Sequence, residues 1–348
     1  MTKRTRLFLI ASGGILVAGL GTGLVAAYVG GLQNLTLIGS SGPDELAYIP
    51  SNTRVVAYAN VREIIDSELH QKLRSLHQSR SGDGLARFEA ETGVDVTKDI
   101  DYVVAAMAGA NPHDGPPLVM ARGRFDEVRV EGLVRAKGGA VEDYKGQRLF
   151  TYTESGDRGR TSAALTVLEP GLVAMGTDSV VRAAIDVRTG AAGAATGNEE
   201  LLRLVKESKD GGNAWVVARF DALSGGGGVP NEMMRRLPAI NWVTVTGHVN
   251  GGIRAAVRAE TRDEAAAKNL RDVLQGILGL AKMQSAQRAD LAGIIDSIEL
   301  GGEGKNVSLA LSVPIEAIDQ LAALAMPRGP GPSNAAPDAP EVEPVPAP

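Results

Sequence analysis

Hydrophobic and polar residues change their spacing along this chain in a way that separates it into parts. Residues Leu7–Leu32 form an unbroken uncharged run. A helix of about 20 apolar residues spans the hydrocarbon of a bilayer, so this run is long enough to cross with some tilt. Beyond it the pattern becomes that of a folded domain. In Asn241–Thr261, Val243, Val245 and Val249 alternate with Trp242, Thr244, Thr246 and His248. After Asn250-Gly251-Gly252, Ile253, Ala255, Val257 and Ala259 alternate with Arg254, Ala256, Arg258 and Glu260. Period-two alternation on both sides of an Asn-Gly turn predicts an antiparallel hairpin.

The same pattern selects a register. A two-residue loop would pair Val245 with Ala256 and Val243 with Arg258, mixing the faces. A three-residue loop pairs Val249 with Ile253, Val245 with Val257 and Val243 with Ala259, and keeps one face apolar. The longer loop is therefore expected, with a glycine in the left-handed region. The opposite face then carries Trp242, Thr244, His248, Arg254 and Arg258, as in a half-wet antiparallel sheet. A helix should follow, opened by Asp263-Glu264 and striped by Leu270, Val273, Leu274, Ile277, Leu278 and Ala281. A second helical stretch near Arg288–Ile295 leads to another hairpin, Ile298–Leu300 with Val307–Val313, and a last helix begins near Pro314.

Upstream the order is similar. Strands are predicted at about Asp101–Ala108 and Leu118–Phe125, then a helix from Asp126-Glu127. Further strands fall near Arg148–Thr153, Ser162–Leu168 and Leu172–Gly176, before a helix over Asp178–Val187. Each half opens with a strand and helical material, Arg54–Asn60 with Val61–His77 and Ala214–Asp221 with Asn231–Leu237. The expectation is an α+β fold, an internally duplicated antiparallel-sheet domain of pattern β-α-ββ-α-ββ-α with one extra strand in the first copy. Gly190–Gly197 and the charged turn Lys206–Gly212 mark the seam. The expected division is a cytoplasmic tip 1–6, a transmembrane anchor 7–32, a linker 33–50, repeats 51–210 and 211–326, and a disordered tail 327–348. That tail holds eight of the chain's 17 prolines, a composition that builds no core.

Charge gives the anchor a direction. The chain carries 36 basic and 41 acidic residues, a net −5. Lys3, Arg4 and Arg6 precede the uncharged run and the next charges are Asp44 and Glu45. Basic flanks stay in the cytoplasm, so the C-terminal domain is expected outside the inner or plasma membrane. Setting those three aside leaves 33 basic against 41 acidic residues, −8, for the rest of the chain. Val25 and Ala27 also satisfy the spacing for signal cleavage after Ala27, an alternative that would secrete the domain. Within the run, Gly14, Ala18 and Thr22 form one row of small residues and Gly19 and Gly23 begin another, a pattern that permits close helix–helix approach and self-association.

Candidate chemistry is sparse. The absence of cysteine excludes disulfides, thiolate metal sites, thiol nucleophiles and lipoprotein processing. The acidic bulk excludes a general nucleic-acid footprint. His70 and His77 are two helical turns apart, about 10 Å, too far to share a metal. They are expected on the wet side of their helix, and His113 in a loop. Asp95, Asp99 and Asp101 lack the glycine and terminal glutamate of a calcium loop and are expected to cap a turn. Ser224–Gly228 and Gly301–Lys305 are glycine-rich without the Gly-Lys-Ser/Thr of a phosphate loop. No catalytic residue, metal ligand or cofactor is assigned. The one candidate surface is Trp242, His248, Arg254 and Arg258, an aromatic and arginine group able to meet an anion or a partner.

Three stretches together, Tyr48-Ile49-Pro50 to Tyr58, Gly93–Asp101 and Gly171–Asp186, resemble a bacterial signal- or membrane-anchored envelope family catalogued as a domain of unknown function. The resemblance covers about residues 46–326. It implies an exported, duplicated α+β domain and carries over no catalytic residue. The function expected is non-enzymatic binding or envelope assembly. A hydrolase with dispersed carboxylates and an apolar-ligand carrier are the alternatives. The first would need two acids roughly 5–9 Å apart in a cleft; the second would need a large apolar cavity.

Overall fold

The structure, a computed structural model, describes residues 44–76, 94–108, 117–136, 138–156, 159–223, 238–285 and 289–316. The run 7–32 with its small-residue rows, His77, His113, the 224–228 loop, the 231–237 helix and the 327–348 tail lie outside the described residues. Nearly all of the helix expected near Pro314 does too. Among the described residues, no helix is long and apolar enough to cross a membrane.

Among the described residues, twelve strands run in chain order as β1 (Val55–Ala59), β2 (Ile100–Met107), β3 (Leu118–Gly123), β4 (Ala140–Tyr144), β5 (Gln147–Gly156) and β6 (Gly159–Glu169). They continue as β7 (Leu172–Thr177), β8 (Ala214–Arg219), β9 (Ile240–Asn250), β10 (Gly252–Thr261), β11 (Glu299–Gly301) and β12 (Asn306–Pro314). All join one open antiparallel sheet in the order β11-β12-β10-β9-β8-β1-β2-β3-β7-β6-β5-β4. The fold is α+β, as the alternation predicts. The first half holds two strands more than the second rather than one, because β4, short and mostly exposed, has no apolar alternation to announce it.

The β9–β10 register follows the apolar pattern: Val249 faces Ile253, Val245 faces Val257 and Val243 faces Ala259. The turn glycine Gly252 has φ +149°, in the positive-φ region that favours glycine, as expected. A Cβ there would come within 2.7 Å of the Val313 carbonyl oxygen. One ladder row crosses the entire sheet and is apolar throughout. It runs Val141, Phe150, Leu165, Met175, Val119, Ala105, Ala57, Val216, Val245, Val257, Leu309, Leu300.

On either side of the central β1–β8 pair, the β2–β3 and β9–β10 ladders share local details. The β2–β3 ladder slips between Ile100 and Tyr102, opposite Gly123 and Arg122. The β9–β10 ladder slips between Ile240 and Trp242, opposite Thr261 and Glu260. Such irregularities bend a strand and re-aim its side chains. The bonds beside them match too. The Gly123 N–H donates to the Gly171 carbonyl and the Thr261 N–H to the Lys305 carbonyl, both at 2.9 Å. The Arg124 N–H reaches the Asp99 carbonyl and the Arg262 N–H the Ala239 carbonyl, at 2.5 and 2.9 Å.

Helices cover the two faces unequally. One face, bearing Val56, Val104, Met120, Leu172, Trp215 and Trp242, has a single large core beneath the 3-10 turn Asp44–Tyr48, α5 (Asp178–Arg188) and α6 (Glu199–Lys209). α6 occupies part of the region expected to be seam loop. Asn198 caps it by accepting from the Leu201 N–H at 3.1 Å, and Leu201, Leu204 and Val205 give it a buried stripe. The charged residues Lys206 and Lys209 are its last turn, where cations suit the helix dipole.

The opposite face has four smaller clusters. α1 (Val61–Asp66) and α2 (Glu68–Leu76) place Val61, Ile65 and Leu69 on the sheet, separated by a break at Ser67. The single turn α7 (Phe220–Leu223) places Ala222 beside Val55 and Ala218. α8 (Glu264–Ser285) contributes Ala267 and Leu270, and α9 (Ala289–Asp296) brings Ile294 beside Val249 and Val313. α4 (Glu127–Ala136) packs on β4 and β5 and buries no residue fully. The short α3 (Val96–Asp99) precedes β2.

Candidate functional site

The four residues predicted to share a surface do share one face. Arg254 pairs with His248, Arg258 with Thr244 and Glu260 with Trp242, all on one side of the β9–β10 ladder. α6 divides them. Trp242 is only 2% exposed, and its indole N–H donates to Glu200 Oε2 at 2.9 Å. Arg258 is held by Glu207 of α6 at 2.7 Å and by the Asn306 side chain at 3.2 Å. His248 and Arg254 remain as cross-strand neighbours beyond the helix, half-buried and exposed, next to the Ser312 position of β12. What stays accessible is a small basic spot on a floor of Thr246, Ala256, Ala310 and Ser312.

Among the described residues, two charge clusters centred on the buried Glu45 and Glu260 lie on this face, and the sequence reading passes over both. In the first, Arg122 donates to Glu45 Oε1 through Nη2 at 2.7 Å and Nε at 3.1 Å, and to Glu169 Oε1 through Nη2 at 2.6 Å. The Tyr102 hydroxyl donates to Glu45 at 2.9 Å and the Tyr48 hydroxyl to Glu169 at 2.8 Å. Glu45 is fully buried, and its Oε2 has no hydrogen-bond partner among the described residues. Bonds from Arg122 and Tyr48 hold the Glu169 carboxyl below the usual range. Burial and the neighbouring Glu45 push the Tyr102 phenol up to about 12. Tyr58 lies against both Tyr102 and Trp215, with ring centroids 5.4 and 5.5 Å away; burial raises its phenol further.

The second cluster occupies the matching place with the charges reversed. Where the first half has Arg122 beside its bulge, the second has Glu260, 2% exposed, between Arg203 and Lys305 at 2.7 Å each. Burial opposes ionisation of Glu260, but Lys305 and Arg203 outweigh it and keep the carboxyl below its ordinary value. A charged residue on the core-facing side of an alternating strand is the available signal for both clusters. Its partners come from the 3-10 turn, α6 and hairpin loops distant in sequence.

The other predicted polar groups have local roles. Asp99 accepts from the Asp95 N–H at 2.9 Å and caps the turn before β2, and Asp101 pairs with Arg62 at 2.9 Å. His70 lies half-buried, with Nδ1 3.0 Å from the Ile65 carbonyl. Among the described residues, no group of three His, Asp or Glu side chains is arranged to hold a metal.

Open hollows lie on the surface of the described residues. One of about 520 Å³ lies over Asp99, Gly123, Arg124, Phe125, Asp126 and Arg129. Another, about 820 Å³, lies over Ser51, Gly193, Asn198, Glu199 and Glu200. Glu45 and Glu169 converge on one guanidinium, yet neither lines either hollow, and a fully buried Glu45 offers no substrate access. The carrier alternative calls for an enclosed apolar space, and both hollows are open with mixed linings. Comparison with known proteins finds no matching family model, curated protein or solved structure.

Proposed function

We propose that this chain is a membrane-anchored binding module without catalytic activity, held on the extracytoplasmic side by residues 7–32. Its sheet would descend from an internal duplication. In this reading it belongs with the bacterial envelope proteins that the three stretches resemble, and it engages an anionic envelope polymer or protein. The observation that carries the binding assignment is the strip of β9, β10 and β12 beyond α6, where His248 and Arg254 stand together as cross-strand neighbours, half-buried and exposed. Orientation rests on Lys3, Arg4 and Arg6. Support for the duplication comes from the matched bulges and the matched bonds beside them.

The test uses the full chain in its envelope. A benzophenone side chain at His248 should give a discrete adduct that Arg254→Glu abolishes, and the purified chain should turn over nothing on a broad hydrolase panel. Turnover lost on changing a single carboxylate would instead establish an enzyme.

A further inference from the structure

We propose that the outer half of α8 docks on the surface of the lipid bilayer, so that the domain meets the membrane at a second point besides its anchor. This rests on the reading of 7–32 as a membrane span.

α8 is 22 residues long, about 33 Å. Its first turns are seated on the sheet, with Ala266, Ala267 and Leu270 at 7%, 0% and 3% exposure. Apolar residues continue along the flank beside this stripe, but their burial does not. Val273, Ile277, Leu280 and Met283 are 43%, 48%, 61% and 74% exposed. The steady rise means that this flank turns away from the sheet towards the helix end. Gln275 and Lys282 lie opposite Val273, Ile277 and Leu280, with Met283 at the margin beside Asp272, so the outer half is amphipathic, and among the described residues nothing buries its apolar flank.

The chain outside the described residues identifies the occupant. Only eleven residues, 33–43, separate the uncharged run from Asp44. At about 3.5 Å each they reach at most about 40 Å. The tether also ends in a fixed place, because Glu45 and Leu46 are buried. Tyr102 and Arg122, which hold Glu45, lie towards the strand end at which β9 turns into β10. Ile294 of α9 packs beside Val249 and Val313 at that same strand end. The α8–α9 hairpin and the tether are therefore tied to one end of the strands, within reach of one bilayer. A helix with one apolar flank buries it some 5–10 Å into the headgroup and acyl boundary. Four side chains suffice for that, but they fall well short of the roughly 800 Å² per partner that a stable protein interface buries, which favours lipid over a second copy.

The absence of cysteine makes the test direct. The full chain is reconstituted in phosphatidylethanolamine–phosphatidylglycerol vesicles with an environment-sensitive fluorophore at Ile277→Cys or Leu280→Cys. Leu16→Cys serves as the anchor control and Glu303→Cys, exposed in the turn at the opposite strand end, as the aqueous control. Labels at 277 and 280 should shift to the blue and be quenched by lipid-borne quenchers, as at 16 and unlike 303. If 16 is quenched by lipid while 277 and 280 remain open to aqueous quenchers, the proposal is wrong and the anchor stands. Labels at 277 and 280 shielded from water, untouched by lipid quenchers and released on dilution with lipid would assign the flank to a second copy and overturn it. A label at 16 outside the lipid would overturn the anchor and the proposal together.

Discussion

The residues that decide stability are charged and buried, and their effects depend on what they leave behind when changed. Arg122→Met would strand Glu45, fully buried and dependent on that guanidinium and Tyr102. Removing one partner of a buried pair costs about 3–5 kcal/mol, so the urea midpoint, followed by the fluorescence of buried Trp215 and Trp242, should fall sharply. Adding Glu45→Gln should recover part of the loss; no recovery would mean that Arg122 acts through packing alone. Acid should act on the same cluster. The Glu169 carboxyl is depressed in the fold by Arg122 and Tyr48, so its contribution is complete above the unfolded value of about 4.3 and disappears as pH falls through the folded value. Glu260, held down by Lys305 and Arg203, behaves alike. Stability should therefore decline below about pH 4.3, and Glu169→Gln should flatten that decline; an unchanged slope would remove Glu169 as its cause. Little of this is legible in sequence. Arg122 and Glu260 look like ordinary strand-end charges until the 3-10 turn and α6 bring their partners over the sheet.

At the scale of elements the sequence says more, because alternation and turn chemistry act locally. One apolar face fixes the β9–β10 register to the residue. β4 escapes such a reading because a short, exposed strand has no apolar face to betray it, and α6 because its glycine-rich approach and charged end resemble loop. α8 shows the limit of periodicity: Leu270, Val273 and Ile277 belong to one apolar run, yet only Leu270 is buried. A stripe records what a helix can cover and not how far the sheet beneath it extends. Leu270→Ala should cost about 2–5 kcal/mol by opening the core. Ile277→Ser should stay within about 0.5 kcal/mol, as exposed positions do. Denaturant titration of both in detergent checks this, and equal losses would mean that the outer half of α8 is packed after all.

For the whole molecule, the order of elements predicts an α+β arrangement, and the structure unites both halves in one sheet through the β1–β8 pair. That union, and the matched bulges on either side, are invisible in the sequence, since pairing between strands some 160 residues apart leaves no local trace. The proposed address of this sheet, outside the membrane, rests on three basic residues and an uncharged run. The most direct test is cysteine accessibility in intact spheroplasts expressing the full chain, which has no cysteine of its own. A membrane-impermeant maleimide should label Arg254→Cys at once and Thr2→Cys only after lysis. Labelling of Thr2→Cys with Arg254→Cys protected would reverse the orientation, and labelled Arg254→Cys recovered in the medium, cleaved near Ala27, would replace the anchor with a secreted domain.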